Sequence, residues 1–530
     1  MAVASRAVSA IAAIAIGLSA QPWAAGANAQ SLEETLATTY RNNPELEAAR
    51  ARLRSTDESV PLAWSGYHPI FRADAIAARR RIETTLDTGG VSGAALGLPQ
   101  GTPLGSTTDA GVTSPVGWQV TGRQVVFDGF KTKGAIARAN ETVRAGRAEL
   151  AELEARVLLD AMTAHLDIVR DQRVLGIRRK FVDLLERERA SIKRRRQAEE
   201  ATNADVAITE ARLADARGQL ASAQANLQSA RARYAKVVGG EADAPKAAIS
   251  IGRKLLPASL SSALEQTRSA SPAIAAARHL ERAALHAVTE ADASLLPQVT
   301  IEGSYSEIQD PSTGVSKSSE GLIYGRISVP IYEAGVSHIR ARQSRHERIA
   351  RSQDIRKVET ASMAATRAGW QGLVAARAQI RASEERQRAA EQALRGIRRE
   401  AGVGARTQID ILNAEQEVLS ARIANAIALR DRTVAEAALL KAIGRLDAAG
   451  VANVEILYDA AGHLDVAMRK WIGLSVEQAG AWKTSVGVGA PEKAQKASVS
   501  SPLRARKGAA VDHARPARGT QKQPLRASLW

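Results

Sequence analysis

Apolar residues recur along this chain with two distinct periods. From Val206 onward, Val206, Leu213, Leu220, Leu227 and Tyr234 return every seven residues, with Thr209, Ala216, Ala223, Ala230 and Val237 three places later. Small residues repeat in the same way at Ala414, Ala421, Ala428, Ala435 and Ala442. A strict heptad imposes supercoiled packing on a neighbouring helix, and alanine at one seam position lets the axes approach closely. Each heptad follows a proline-free run of helix formers, Lys131 to Glu200 and Val336 to Glu400. At about 1.5 Å per residue, each run predicts a rod on the order of 100 Å long. An ordinary two-stranded coiled coil accounts for one such hairpin; two of them attached to β-hairpins are better explained as staves of a tube.

The second period is two. Val299, Ile301, Gly303 and Tyr305 alternate with Gln298, Thr300, Glu302 and Ser304, and Ile323, Ile327, Val329 and Ile331 stand opposite Tyr324, Arg326 and Ser328. A weaker version sets Phe71, Ala73 and Ala75 against Arg72 and Asp74, then Val120 and Val126 against Thr121 and Arg123. Both predict strands with one apolar and one polar face. In a soluble sheet the apolar face covers a core, whereas in a membrane barrel it meets lipid while the polar face lines water. Alternation alone sits slightly closer to the soluble sheet. The aromatics shift the balance: they are only 3% of the chain, yet Trp64, Tyr67, Phe71, Trp118, Phe127, Phe130, Tyr305, Tyr324 and Tyr332 all fall in or beside the strands, as interfacial girdles require. Four strands cannot close around a channel, because even an eight-stranded barrel is filled by its own side chains. Several chains must pool strands.

The whole pattern occurs twice. Ser31 to Arg50 aligns with Ser259 to Arg278 at an offset of 228, carrying Leu36 onto Leu264 and Pro44 onto Pro272; Pro69 meets Pro297 at the same offset. Further on the offset is 205, with Phe127-Asp128 on Tyr332-Glu333, Asp205 on Asp410 and Gly239 on Gly444. The 23-residue difference lies within Ile82 to Gly117, read as a longer Gly/Thr/Pro/Ser loop in the first copy. The chain is therefore a duplicated helix-strand-strand-helix unit. The first repeat is expected at 30–239, with its β-hairpin at about 68–127 and its tip at about 200–205. The second is expected at 259–446, with hairpin 297–332 and tip 401–407. Residues 240–258 and 447–480 are left as an irregular belt at the middle of the rods.

Composition narrows the setting. Arg6, the apolar run Ala7 to Ala20 and Ala27-Asn28-Ala29 read as a secretory signal peptide over 1–29. No later stretch reaches the roughly 18 apolar residues of a spanning helix, so a membrane-embedded mature chain must use a barrel. The net charge of +17 would suggest nucleic acid, but export argues against it, and 481–530 alone holds ten Lys or Arg against Glu492 and Asp512. That segment reads as a basic disordered tail. There is no cysteine. His279 and His286 lack a metal-ligand pattern, and Gly402-x-Gly404 lacks the preceding strand of a phosphate-binding loop. No catalytic constellation, metal or cofactor is expected, and energy for any transport must come from a partner.

With the duplication, Asn43-Pro44-Glu45-Leu46, the aromatic-acidic steps and the run Val403-Gly404-Ala405-Arg406-Thr407-Gln408-Ile409-Asp410-Ile411-Leu412-Asn413-Ala414 in place, the chain from about Ser31 to about Leu446 resembles the TolC family of outer-membrane efflux and secretion proteins. The resemblance implies a mainly α fold with a membrane β-barrel: a homotrimer pooling twelve strands, continued by a coiled-coil α-barrel across the periplasm. It implies outer-membrane lipid, a periplasmic adaptor and an inner-membrane ABC or proton-driven transporter as partners, in type I protein secretion or small-molecule efflux. Asp410 matches an acidic residue ringing the family's entrance, with Asp205 its first-repeat counterpart, and Arg406 matches a basic residue that helps hold the tip closed. Asn413 stands where a second aspartate is often found and Ala401 where a tyrosine can join; Glu199 to Ala204 lacks the Val-Gly-x-Arg pattern. Gly402 and Gly404 are assigned to the helix-tip turn, and Arg72, Asp74, Arg123, Glu302 and Arg326 to the barrel lumen. On its own, an aspartate at a helix start is more often a cap. A periplasmic coiled-coil adaptor, the alternative, would carry compact β-domains flanking one hairpin.

Overall fold

The computed structural model describes residues 31–86, 107–240, 255–312, 314–451, 456–475 and 482–484. The expected signal peptide, most of the 240–258 linker and the tail beyond 484 lie outside the described residues.

Each repeat opens with two short helices whose starts are written in the sequence. Ser31 caps α1 (Leu32–Asn42) in a reciprocal box with Glu34, and Asn43 caps α2 (Pro44–Asp57) by accepting from the amides of Glu45 and Leu46, with Pro44 at the first helical position. Ser259 and Ser271-Pro272 start the matching α6 (Leu260–Ala270) and α7 (Pro272–Ala293). A one-turn α3 (Ser59–Trp64) leads to the first strand.

The strands are β1 (Ile70–Ala77), β2 (Arg80–Leu86), β3 (Thr107–Thr113) and β4 (Val116–Phe127) in the first repeat, then β5 (Gln298–Ser312) and β6 (Val315–Ser328) in the second. β1, β4, β5 and β6 form one antiparallel sheet in that order, so β1 and β6 are its edges; β2 and β3 pair separately. Two expectations are corrected here. The stretch from Ile82 to Gly117 is not simply loop: β2 and β3 run through its two ends, built from β-branched Ile82, Thr84, Thr85, Thr107, Thr108 and Val112. The return strand stops at Ser328, before Val329 and Ile331, because Pro330 has no amide to donate and restricts the residue ahead of it.

The long rods are α4 (Lys131–Gln197) and α8 (Val336–Gly402), 67 residues each. The aromatic-acidic steps start them. Asp128 accepts from the Thr132 amide at 2.7 Å, and Glu333 accepts from the Ser337 hydroxyl at 2.7 Å. Return helices α5 (Asn203–Val238) and α9 (Gln408–Ala442) bury the heptad seams: Thr209, Leu213, Ala216, Ala223, Leu227, Ala230 and Tyr234 in one, Ala414, Ala421 and Ala428 in the other. α4 packs on α5, on α7 toward the strands and on α9 toward the tips, while α8 packs on α7 and α9. Toward the tips the neighbours thus run α5, α4, α9, α8.

Both repeats share one core at mid-length, including Leu36, Tyr40, Leu46, Leu158, Met162, Ile168, Ala230, Tyr234, Leu439, Leu440 and Ile443. Arg50 is buried in it, donating to the Tyr40 carbonyl at 2.9 Å and to Glu47 at 2.6 Å, with its guanidinium over the Tyr40 and Tyr458 rings. Burial lifts the nearby Glu154 carboxyl to about 7 against the pull of Arg50. The last described stretch holds α10 (Ala448–Val451), β7 (Ile456–Tyr458), α11 (Gly462–Ala467) and β8 (Trp482–Thr484). β8 pairs with β7, so the first residues of the stretch expected to be disordered form a strand: the β7 main chain offers hydrogen-bond partners that composition does not reveal.

Gly239 and Gly444, matched by the duplication, both end return helices at positive φ, 82° and 71°. At Gly444 a Cβ would lie 2.4 Å from the Ala270 carbonyl oxygen, whereas at Gly404 (φ 80°) it would meet nothing within 4 Å. Gly404→Ala is expected to cost only the left-handed backbone penalty, roughly 1–2 kcal/mol. Gly444→Ala should cost clearly more, read as a larger fall in the denaturation midpoint of the detergent-purified protein.

Candidate functional site

Direct cross-strand partners share a face of an antiparallel sheet, so the register sorts the sheet's residues without reference to any ligand. Ile70, Arg123, Glu302 and Tyr324 lie on one rung; Arg72, Thr121, Ser304 and Leu322 on the next; Asp74, Gln119, Ser306 and Glu320 on the one beyond. Arg326 joins this face opposite Thr300. All five residues assigned to the lumen from sequence therefore share one polar face. Glu302 is its hub, accepting from Arg326 at 3.2 Å and from the Tyr324 hydroxyl, with Arg123 at 3.7 Å. Tyr324, counted in the sequence as a girdle aromatic, belongs to this polar cluster instead. Arg72 and Asp74 stand apart from it.

The opposite face carries Phe71, Ala73, Ala75, Trp118, Val120, Ile301, Tyr305, Ile323 and Ile327. Among the described residues nothing covers it: Ile323 is 82% exposed and Phe71 74%. Gly122 and Gly303 face Ile323 across a rung, and the Phe71 ring closes over Gly122, where a Cβ would lie 3.0 Å away. Trp118 and Tyr305 pair with ring centroids 5.4 Å apart. A bulge between Val125 and Phe127 keeps Phe127 on the apolar face, opposite Val299. Trp118 and Phe127 are nine residues apart on β4. At about 3.4 Å per residue and a tilt of about 40° that separation spans roughly 23 Å of height, close to the ~25 Å of a barrel's lipid-facing band.

At the far end of the rods the two turns are built alike. Thr202 and Asp205 form a capping box at the start of α5, and Thr407 and Asp410 form another at the start of α9. In each, one carboxylate oxygen accepts from the threonine amide, at 2.9 and 3.0 Å, and from its hydroxyl, at 2.7 Å in both. The threonine hydrogen bonds hold both carboxyls below the usual aspartate range, Asp205 helped by Arg195 and Asp410 by Arg406. The capping alternative is thus what the geometry shows locally, with both aspartates half-buried at the helix starts. Arg406 donates to Glu400 at 2.8 Å, and that carboxylate raises its pKa. Asn413 accepts from Arg212 of α5 at 2.7 Å, and Gln408 donates to Glu188 of α4 at 2.7 Å. Sequence inspection missed both ties, because each joins residues some two hundred positions apart. Of the two tip glycines, Gly404 sits at positive φ in the turn, while Gly402 is the last residue of α8 and adopts no such conformation. The first turn begins at 198, so Asp205 lies inside α5 rather than in the loop.

Among the described residues no cluster of three or more metal-ligating side chains occurs, and no helix is long and apolar enough to cross a membrane.

A family model described as "Outer membrane efflux protein" matches residues 263–445. The outer membrane efflux protein BepC of Brucella suis is 29% identical over 446 residues, covering 84% of this chain and 92% of BepC. Among solved structures, the CmeC outer membrane channel of Campylobacter jejuni superposes with a TM-score of 0.68 at 13% identity, covering 83% of this chain and 89% of CmeC. The open state of the MtrE outer membrane channel of Neisseria gonorrhoeae gives 0.61 at 17% identity, over 78% and 89% of the two chains. Whether lipid meets the exposed apolar face can be tested by substitution on the two faces. Ile323→Arg should cost on the order of 2–4 kcal/mol per chain near mid-bilayer and reduce the heat-resistant, membrane-inserted fraction. Ser304→Arg, on the polar face, should insert normally; equal insertion of both variants would refute the assignment of faces.

Proposed function

Because the chain belongs to the outer-membrane efflux protein family, the TolC-like channels of the outer membrane, we propose that three copies close into a single duct. Twelve pooled strands make its barrel, and the long helices continue it through the periplasm. The observation that carries this is the four-stranded sheet, whose edges at β1 and β6 pair with no other described strand and whose apolar face no described residue covers. In hydrocarbon every main-chain donor and acceptor must be met within the protein, so an open sheet cannot stand there alone. Two copies would give eight strands, a barrel filled by its own side chains; three give the smallest multiple of four wide enough for water.

In this duct Arg72, Asp74, Arg123, Glu302 and Arg326 line the barrel's water-filled interior. Asp410, with Asp205, Arg406 and Asn413, surrounds the periplasmic entrance. Threefold repetition turns a helix cap into a ring of carboxylates, which favours cations in a narrow passage. The duct is passive. A periplasmic adaptor and an inner-membrane transporter, ABC-type or proton-driven, supply the opening and the energy, for protein secretion or for small-molecule efflux. Mass measurement in detergent should give a trimer, and planar lipid bilayers should show conductance. A stable water-soluble monomer without conductance would refute the proposal.

The entrance has its own test. Divalent cations at the periplasmic side should block wild-type channels, and Asp410→Ala should relieve that block severalfold. A carboxyl with a depressed pKa stays ionised until the pH falls through its folded value, so block should persist below the ordinary aspartate value of about 3.9. The cap's contribution to stability has the same sign: fully present above that value, lost as the pH falls further. Thr407→Ala removes the hydroxyl's hydrogen bond but keeps the amide's and the carboxylate, so block should remain at neutral pH and fade at a higher pH than in wild type. Unchanged block in Asp410→Ala would exclude a role at the entrance.

A further inference from the structure

The segment after β7 climbs the outside of α2 and α3 toward the foot of the sheet, and each step has a fixed contact. The Tyr458 amide donates to the Tyr40 hydroxyl at 3.3 Å, and His463 Nδ1 lies 3.2 Å from the buried Asp57. Burial raises the Asp57 carboxyl even with His463 and Arg147 beside it. Leu464 and Met468 pack on Val60, Ala139 and Val143. Trp471 then reaches His68, two residues before β1, with ring centroids 4.1 Å apart. Beyond it the chain turns at Gly473 (φ 123°), and Lys470 closes the turn by donating to the Ser475 hydroxyl at 2.7 Å.

This ordered turn presents its apolar side chains outward. Ile472 is 94% exposed, Leu474 100% and Trp471 45%. Scattered surface apolar residues need no explanation, but here three lie within four residues, flanked by Arg469 and Lys470. They stand at the level where the sheet begins, next to the exposed Trp64–Tyr67 ring pair (5.9 Å). Phe130, Ile331 and Tyr332, also exposed, adjoin the sheet ends at the same level. A tryptophan and two aliphatics beside two cations is the composition that settles at a bilayer interface: rings at headgroup depth, aliphatics in the upper acyl region, cations on phosphate. We propose that Arg469–Leu474 is an interfacial anchor, inserted in the periplasmic leaflet of the outer membrane and continuing the aromatic girdle below the barrel. The occupant of this face is phospholipid. Pinned to the core through Tyr458 and His463, the anchor ties the mid-length belt to the membrane plane.

The inference rests on the outer-membrane placement of the sheet, and the two can be tested separately because the chain contains no cysteine. Leu474→Cys and, as the sheet control, Ile323→Cys are labelled with an environment-sensitive fluorophore in the full mature protein. The labelled proteins are reconstituted in phospholipid vesicles with or without lipids carrying a nitroxide near the headgroup or at mid-chain. A blue-shifted Leu474 probe, quenched severalfold better by the shallow nitroxide than by the deep one, supports the anchor. An Ile323 probe quenched by lipid beside a Leu474 probe with water-like emission overturns the anchor and leaves the barrel standing. A blue-shifted Leu474 probe that no lipid nitroxide quenches means protein covers the turn, as a second copy would, and also overturns it. If the Ile323 probe escapes lipid quenching as well, the placement of the sheet fails and the anchor with it.

Discussion

An unpaired strand edge is tolerable in water, where solvent meets the free amides and carbonyls, and intolerable in hydrocarbon, where nothing does. That single asymmetry governs this molecule. The sheet β1-β4-β5-β6 ends at β1 on one side and β6 on the other, and one of its faces is apolar and uncovered by any described helix. The same incompleteness continues into the rods, whose packed series stops at α5 and α8. Sheet and helices are thus open at corresponding flanks. The proposed closure by copies of the same chain would satisfy both at once, and lipid-facing girdles would follow from it.

The duplication explains why the parts fit and also where they have diverged. Asp128 and Glu333 start the two rods, Thr202/Asp205 and Thr407/Asp410 cap the two return helices, and Gly239 and Gly444 end them. The ion pair at mid-length is repeated too, yet in different surroundings. Arg278 meets Glu359 at 2.9 Å in a half-exposed position, whereas Arg50 is sealed among Tyr40, Glu47 and Tyr458 close to Glu154. The C-terminal segment makes the difference, since Tyr458 comes from it and lies over the first repeat alone. One inherited pair has stayed a surface contact; the other has been built into the shared core.

Much of this was legible in residues because it is periodic or local. Heptad seams, alternating strands, caps such as Ser31 and Asn43, and the start of each rod depend on neighbours within a turn or two, so spacing alone reveals them. Two kinds of feature escaped. β2, β3 and β8 are held by pairing with a distant or unremarkable partner, and Gly- and Thr-rich composition disguises them as loop or tail. Side-chain ties across the duplication, such as Arg212 to Asn413 and Glu188 to Gln408, join residues that no local pattern relates. The end of β6 and the role of Tyr324 were misread for a simpler reason: alternation ran on past Pro330 in the one case, and an aromatic was counted by type rather than by face in the other.

The distribution of apolar packing has a mechanical consequence at the tips of the rods. At mid-length one hydrophobic core spans both repeats, so separating them there would expose large side chains such as Leu158, Met162, Leu439 and Leu440. Toward the tips the packing divides. Val182, Leu185, Leu213 and Ala216 stay within the α4–α5 hairpin with only Leu412 added, and Ala390, Leu394, Ala414, Val418 and Ala421 stay within α8–α9. Besides Leu412, what joins the hairpins near the turns includes the exposed bond from Arg212 to Asn413 and the half-buried bond from Gln408 to Glu188, each worth about 0.5–1.5 kcal/mol net. Water can replace such bonds as they part, whereas it cannot replace a core. Parting the tips about a fixed middle would therefore need no local unfolding, since the two hydrogen bonds together are worth only a few kcal/mol per chain.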